Sequence, residues 1–174
     1  MLPPHEQKAY ELLIPHRETI KKVLNIGFVN LPDASVRFAG SLNINPEFTH
    51  LEIFERNYEN GKRQYPTHKF VNGDVRNIRN LIQDKFDLIV WWHGPEHIYE
   101  NELVPTIINI ESLLNDGGVV ILGSPDGFQE QHNDDGNEHN DHFSGPDSEF
   151  YESLGYESHK VFVPPMSLVA YKQV

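Results

Sequence analysis

The stretch FDLIVWWHGPEH, Phe86 to His97, decides the fold expected for this chain. Its first part, as far as Trp92, is almost entirely apolar, and it then breaks abruptly into the polar and turn-forming residues HGPEH. A short apolar run that ends in this way is typical of a buried strand of a parallel sheet. Ligands of doubly wound sheets bind just beyond the carboxyl ends of such strands. The polar residues after Trp92 are therefore expected to lie at a functional site.

Further short apolar runs alternate with helical patterns along the chain. We predict strands over 22–27, 50–55, 68–74, 86–92, 119–123, 157–164 and 166–174, and helices over 5–20 (interrupted at Pro15), 34–42, 57–64, 76–83, 102–115 and 147–154. The last two strands are joined by a short Pro-Pro turn, so they should be antiparallel neighbours. This alternation predicts an α/β fold with a mainly parallel sheet and helices on both faces.

Two of these helices carry more detailed expectations. In the helix 76–83, Leu81 is expected to point into the core together with Ile78 and Ile82. The helix 102–115 is expected to end at the Asp-Gly-Gly sequence of 116–118, because glycine after a helix favours termination.

Length and composition narrow the classes of function. The 174 residues suit a single domain, 1–174, with an N-terminal helical segment at 1–21 and a long loop at 124–147. The chain has no cysteine, which excludes disulfides and thiolate chemistry. The net charge of −12 argues against nucleic-acid binding, because phosphate contacts need clustered Lys and Arg. The sequence shows neither a membrane-length apolar run nor signal-peptide features, so a cytoplasmic protein without membrane association is expected.

FDLIVWWHGPEH resembles the fourth-strand motif of class I S-adenosylmethionine-dependent methyltransferases, where a strand of this kind runs into a His-x-x-Glu-His turn. The resemblance, to the type 11 and type 23 groups, extends from Lys22 to the C-terminus. In that family the first strand runs into a turn written D-x-G-x-G-x-G. Gly27 fits this pattern, but Asn25 replaces the acid. Val29 and Leu31 replace two of the glycines, so the glycine-rich turn is degenerate.

The resemblance implies a Rossmann-like, seven-stranded sheet with an antiparallel C-terminal strand. It also implies S-adenosylmethionine as cofactor, S-adenosylhomocysteine as product, and methyl transfer to an oxygen or nitrogen of a small-molecule or glycan-like acceptor. The short chain leaves room for a homo-oligomer that completes the acceptor site between subunits. The losses in the glycine-rich turn leave an alternative, a methyltransferase-like pseudo-enzyme that serves as a binding or assembly module.

By this resemblance, six residues are assigned to the cofactor: Asn25, Gly27, Glu55, Asp74, Val75 and Trp92. Glu55, at the end of the predicted second strand, would accept hydrogen bonds from the ribose hydroxyls. Asp74 would contact the adenine amino group. Both have a structural interpretation as well, since Glu55 can be a solvated neighbour of Arg56 and Asp74 can cap the following helix. Trp91 and Trp92 should point to opposite faces of the sheet, so that one flanks the ligand.

Histidines are the candidates for the general base. His93 and His97 follow the fourth strand, and an unperturbed imidazole has a pKa near 6.5, which suits proton transfer. His142 is the best base candidate in the long loop. The resemblance places four further loop residues over the substrate: Gln129, Asn137, His139 and Ser144. The Asp-, Asn- and Gly-rich composition of the loop is equally compatible with disorder.

Histidine spacing also raises the question of a metal. His93 and His97 are four residues apart, and His139 and His142 are three apart, as in some imidazole sites for zinc. Pro95 interrupts the first pair, and no carboxylate pattern fixes a coordination geometry. We therefore predict no metal from the sequence.

Overall fold

One seven-stranded sheet organises the residues that this computed structural model describes, which are 2–132, 137–161 and 166–174. Its strands are β1 Lys22–Ile26, β2 Glu47–Glu52, β3 Lys69–Asn72, β4 Phe86–Trp92, β5 Leu114–Ser124, β6 Glu157–Lys160 and β7 Leu168–Gln173. They lie in the order β3-β2-β1-β4-β5-β7-β6. β1 to β5 pair in parallel, while β7 runs antiparallel to β5 and β6. The predicted α/β, Rossmann-like fold with an antiparallel C-terminal strand is confirmed.

Six α-helices accompany the sheet within the same residues. They are α1 Pro4–Leu13, α2 Asp33–Ser41, α3 Glu55–Gln64, α4 Ile78–Leu81, α5 Glu100–Glu111 and α6 Ser148–Ser153. Each is too short or too polar to span a bilayer. The predicted helices are present, although several begin or end a few residues away from the predicted bounds.

β4 is at the centre of the sheet and is covered on both faces. Ile89 and Trp91 belong to the core cluster that α5 supplies with Leu103 and Ile107. Val90, with the opposite orientation, belongs to a second cluster formed with α1 and α2. Because both faces are buried, the strand carries apolar residues at successive positions, which is the pattern read from the sequence. The predicted bounds of this strand are confirmed to the residue.

The predicted second strand, 50–55, is displaced. β2 ends at Glu52, and Glu55 begins α3 instead of closing the strand. The Glu52 carboxylate accepts the Phe54 N–H at 2.8 Å, so the chain turns directly after Glu52. The strand begins earlier than predicted, because Glu47 already pairs with Lys22 of β1.

Three further expectations need correction or lie outside the structure. α5 ends at Glu111, and the Asp-Gly-Gly sequence at 116–118 lies within β5, near a register shift against β4. Leu81 is 38% exposed, so it does not point into the core as predicted, whereas Ile78 and Ile82 are buried. β6 and β7 are antiparallel neighbours as expected, but the Pro-Pro turn lies outside the described residues.

Candidate functional site

The candidate site lies where the carboxyl ends of β1 and β4 meet. From β1 the strand order runs outward to β2 and β3, and from β4 it runs outward to β5 on the other side. The order reverses between β1 and β4, and open α/β sheets bind ligands in the crevice outside such a reversal. The turns that follow β1, β2, β3 and β4 therefore border the site.

The turn after β1 depends on Gly27. Its backbone has a φ of +73°, in the left-handed region that glycine adopts without strain. Its N–H donates to the Leu51 carbonyl at 2.8 Å, which holds the turn against β2. No atom lies within 4 Å of the position that a Cβ would take here, so this glycine is needed for its conformation rather than for space. Val29, at the second glycine position of the family pattern, is 91% exposed.

Glu52 is the acid at the end of β2. Its side chain is buried, and its carboxylate accepts the Phe28 N–H of the first turn and the Phe54 N–H, each at 2.8 Å. Burial raises the pKa of this carboxyl, and the backbone hydrogen bonds offset part of that effect. Glu55, in contrast, is exposed in the first turn of α3. The strand-end position assigned to Glu55 from the sequence is thus occupied by Glu52, and no cofactor role for Glu55 follows from its placement.

Asp74 follows β3 and caps the turn after it. Its carboxylate accepts the backbone N–H of Arg76 at 2.9 Å and the guanidinium of the same residue at 2.9 and 2.6 Å. Burial opposes ionisation, but the hydrogen bonds and charge of Arg76 outweigh it and lower the pKa of Asp74. Arg76 also reaches Glu102 of α5 at 2.9 Å. The capping interpretation is confirmed, and Asp74 is held ionised at the edge of the site beside the half-buried Val75.

Asn25 is buried directly beside the turn after β1. It is 2% exposed, accepts the Ser35 hydroxyl at 2.6 Å, and lies 3.3 Å from Nδ1 of His50 through its amide nitrogen. The same amide nitrogen donates to the Gly27 carbonyl at 3.4 Å, so the polar atoms of Asn25 link the turn after β1 to β2 and α2. An amide suits this network better than the acid of the family pattern, because the buried neighbours include no cationic partner.

The turn after β4 brings two polar residues together. His93 is exposed and has a φ of +50°, and its N–H donates to the Gly123 carbonyl at 2.9 Å. Its Nδ1 lies 3.4 Å from Oε1 of Glu96, whose side chain is buried. Gly94 between them leaves room for the Trp91 indole, since a Cβ would lie 1.6 Å from the indole nitrogen.

The long loop docks onto this turn. The N–H groups of Phe143 and Ser144 both donate to the Glu96 carbonyl, at 2.8 and 3.2 Å. The Ser144 hydroxyl donates to the Pro95 carbonyl at 3.0 Å. Ser144 is buried, so its placement favours a role in fastening the loop over the predicted contact with substrate. The docking fixes where the loop histidines lie.

His97 of the turn after β4 and His142 of the docked loop are in contact, with ring centroids 4.9 Å apart. Nδ1 of His97 lies 2.9 Å from the Asp141 carbonyl, and Nδ1 of His142 lies 2.7 Å from the Gln129 carbonyl. A carbonyl only accepts, so each Nδ1 carries a proton, and in the neutral ring Nε2 is the nitrogen with the lone pair. Burial lowers the pKa of His97, which is therefore neutral at pH 7. The structure thus brings two of the three predicted bases together.

The other predicted residues lie around this centre. The His139 ring contacts Phe54 at the start of α3, with centroids 6.1 Å apart, while Asn137 accepts the N–H of His139 and caps its turn. Trp91 and Trp92 belong to opposite faces, as predicted. Trp92 packs edge-to-face against His5 of α1, at 5.2 Å between centroids.

Three residues of this region were missed from the sequence. Glu52 was passed over because the alternating pattern of HLEIFE continues to Glu55. Glu96 was expected at the site as one of the polar residues after β4 but was given no catalytic or binding role, although an acid directly beside His97 is a signal for a ligand set. His5 gave no local signal, because only the packing of α1 brings it to Trp92. Burial, followed by His93 and Arg37, lowers the pKa of His5 to about 4.

No family model and no curated protein matches the sequence. Solved structures match the fold. The 1,6-didemethyltoxoflavin-N1-methyltransferase of Burkholderia thailandensis, with bound 1,6-didemethyltoxoflavin and S-adenosylhomocysteine, is 16% identical at a TM-score of 0.69. The match covers 97% of this chain and 77% of that one.

Two other solved structures show how broad the likeness is. An O-methyltransferase family protein of B. thailandensis is 9% identical at a TM-score of 0.65, and the match covers 96% of this chain but 55% of that one. This chain therefore spans about half the length of that protein. A Clostridium thermocellum protein described as an rRNA methylase is 11% identical at a TM-score of 0.60, with complete coverage of both chains. The strand order and these likenesses together show that the chain has the fold of class I S-adenosylmethionine-dependent methyltransferases.

Proposed function

We propose that this chain binds S-adenosylmethionine and transfers its methyl group to an oxygen or nitrogen of a small-molecule or glycan-like acceptor. The observation that carries the proposal is Glu52, a buried carboxylate at the end of β2 that also holds the turn after β1. Each carboxylate oxygen has a second lone pair for a ribose hydroxyl. Hydrogen bonds to a charged group contribute about 1.5–3 kcal/mol each. The bound S-adenosylhomocysteine in the toxoflavin methyltransferase of the same fold supports this assignment.

The remaining strand ends supply the rest of the cofactor site. The left-handed backbone of Gly27 shapes the turn along which the methionine part of the cofactor would lie. Asp74 is kept ionised by Arg76 and offers an acceptor for the adenine amino group, with Val75 as an apolar neighbour. Trp92, which packs against His5 of α1, is assigned to the same site from the end of β4. Glu52 takes the place of Glu55 in this proposal.

Methyl transfer requires an in-line displacement. A lone pair of the acceptor oxygen or nitrogen attacks the methyl carbon, the carbon–sulfur bond breaks, and its electron pair stays on sulfur. The reaction neutralises the sulfonium, so the protein contributes chiefly by holding the two reactants in line and excluding water. The docked loop, whose residues 143 and 144 are bonded to the Glu96 carbonyl, is suited to such positioning.

The proton of a hydroxyl or amine acceptor needs a base at the same end of the sheet. His97 and His142 each present Nε2 with a free lone pair, since Nδ1 donates to a backbone carbonyl. His93 is exposed beside them, and its ring can pass a proton to solvent. We assign proton acceptance to these three imidazoles.

Calorimetric titration of the purified chain with S-adenosylmethionine and S-adenosylhomocysteine tests the proposal. We expect micromolar binding of both. Glu52→Gln should weaken it at least about tenfold, because one lost charge-assisted hydrogen bond exceeds the 1.4 kcal/mol that a factor of ten represents. Glu55→Gln is the matched control, since this residue is exposed on α3, and its affinity should stay within twofold of the parent chain.

A different outcome favours the second candidate function, a methyltransferase-like binding or assembly module. Its supporting observations are Asn25, whose polar atoms are engaged inside the protein, and Val29 and Leu31 in place of glycines. Absence of heat and of thermal stabilisation with millimolar cofactor would exclude the transferase proposal. A stable protein partner recovered with the chain would then be the expected companion result.

A further inference from the structure

We propose that Glu96, His97 and His142 form a binding site for a first-row divalent metal ion. One potential ligand atom from each residue lies within 4.8 Å of those of the other two. Two of the residues come from the turn after β4, and the third comes from the loop that docks on it. Tetrahedral bonds of about 2.0–2.1 Å separate ligand atoms by roughly 3.3 Å, so modest side-chain rotations complete the geometry.

Glu96 points independently to a ligand. Its side chain is 2% exposed, and neither carboxylate oxygen has a hydrogen-bond partner. The ring nitrogen of His93, at 3.4 Å, is its nearest basic group. Carboxylates that are buried in proteins are paired or coordinate a metal, because an isolated buried charge is costly.

The two histidines have the surroundings of metal ligands. Each donates its Nδ1–H to a backbone carbonyl, His97 to residue 141 and His142 to residue 129. Histidines that bind metals almost always donate their second ring N–H in this way, which fixes both tautomer and orientation. The same bonds leave the two Nε2 lone pairs for coordination.

The site is also held together before any ion binds. The N–H groups of Phe143 and Ser144 donate to the Glu96 carbonyl, and the Ser144 hydroxyl donates to Pro95. These bonds tie the loop next to His142 to the turn that carries the other two ligands. Because the loop is already docked on the turn, less conformational entropy is lost when the site closes around an ion.

The donor set selects the class of ion. One carboxylate with two imidazoles suits Zn²⁺, Fe²⁺, Co²⁺ or Mn²⁺, whereas Mg²⁺ and Ca²⁺ prefer oxygen ligands throughout. Three protein ligands leave a coordination position for another molecule. The sequence contains no cysteine that could complete a closed structural zinc site. The donor set is therefore that of an open site.

The open coordination position gives the ion a chemical role in the proposed methyl transfer, and this role rests on the proposed function. The ion would bind the acceptor through a hydroxyl oxygen and lower the pKa of that hydroxyl. His97 and His142 then serve as ligands instead of bases. The hydroxyl proton passes to solvent, the oxygen attacks the sulfonium methyl, and the carbon–sulfur electron pair stays on sulfur. Acceptors with a free hydroxyl are thus the expected class.

The test is titration of the EDTA-treated, dialysed 174-residue chain with ZnCl₂, without S-adenosylmethionine. We expect one equivalent to bind and the melting temperature to rise. Glu96→Gln and His142→Ala should each weaken the binding at least about 100-fold, since even outer partners of metal ligands contribute 10–100-fold. His159→Ala, on β6 outside the cluster, is the matched control and should bind as the parent chain does.

Two outcomes overturn the site: no binding by the parent chain, or binding that survives both substitutions. Circular dichroism of each variant shows whether it is folded, and His142→Ala, on a loop, decides the matter if Glu96→Gln does not fold. The cofactor titration is done separately on the metal-free chain. Zinc binding without cofactor binding refutes the transferase proposal alone, whereas cofactor binding without zinc binding refutes the metal site alone.

Discussion

His50 is a buried imidazole within an aromatic group on β2 and β3. Its ring stacks with Phe48, His68 and Phe70 at centroid distances of 4.8–5.3 Å, and it is fully inaccessible to solvent. Its nitrogens face the Asn25 amide at 3.3 Å and His68 at 3.0 Å. Burial, reinforced by the neighbouring His68, lowers the pKa of His50 to about 3. The folded protein therefore requires the neutral ring.

This requirement predicts a loss of stability in acid. The pKa is about 3 in the folded chain and 6.5 when the group is unperturbed, so the unfolded chain binds the proton first as the pH falls. The contribution is complete above pH 6.5 and is lost progressively down to about pH 3. Between pH 7 and pH 5 we expect His50 to cost about 2 kcal/mol of unfolding free energy. Urea titrations at both pH values measure it.

The matched variant is His50→Phe, which keeps the ring stacking and removes the titrating group. It should be less stable than the parent at pH 7, because the hydrogen bonds to Asn25 and His68 are lost. Its decline between pH 7 and pH 5 should be smaller by about 2 kcal/mol. An equal decline in both proteins would show that His50 does not carry the acid sensitivity.

At the scale of elements, the turn after β4 depends on a glycine that has no substitute. A Cβ at Gly94 would lie 1.6 Å from Nε1 of Trp91, a core residue that is 3% exposed. Gly94→Ala should therefore destabilise the protein by about 1–3 kcal/mol through overpacking. Gly40→Ala is the control, since this exposed helical position has open space and should gain about 0.5–1 kcal/mol. Chemical denaturation compares the two, and equal effects would contradict the close packing described here.

The elements also show what the sequence could predict. β4 was predicted to the residue because it is buried on both faces, which leaves one continuous apolar run with an abrupt polar end. The predicted end of β2 was three residues too late. The alternating pattern of HLEIFE continues from the end of the strand into the start of α3. The boundary is set by the Glu52 side chain, which accepts the Phe54 N–H. A bond of this kind is decided by geometry that residue patterns do not contain.

The candidate site, too, could be predicted from the sequence only in part. Gly27, Asp74 and His97 were predicted because each lies next to the end of a strand, and strand ends can be read from local pattern. The approach of His142 to His97 depends on hydrogen bonds from residues 143 and 144 to the turn after β4, far away in sequence. The backbone carbonyl of Glu96 accepts those two hydrogen bonds. Contacts of this range follow from the tertiary fold and not from spacing.

At the scale of the whole molecule, acidic side chains collect at the end of the sheet where the parallel strands terminate. Glu52, Asp74 and Glu96 all follow the carboxyl ends of parallel strands. The chain as a whole has 14 basic and 26 acidic residues. Such a surface suits a sulfonium cofactor or a cation and repels a polyanion. Since one protein of similar fold is described as an rRNA methylase, charge rather than fold decides whether RNA is an acceptor here.

We therefore expect no appreciable RNA binding. Non-specific complexes with nucleic acid draw their affinity from Lys and Arg contacts to phosphates. Lys62, one of the two adjacent cations at 62–63, contacts Glu59 at 3.6 Å, so part of its charge is already compensated within the protein. Fluorescence anisotropy of a labelled RNA duplex, with S-adenosylhomocysteine present, should show no saturation at micromolar protein in 50 mM salt. A dissociation constant below about 1 μM that weakens steeply with salt would establish phosphate contacts and redirect the search for the acceptor to RNA.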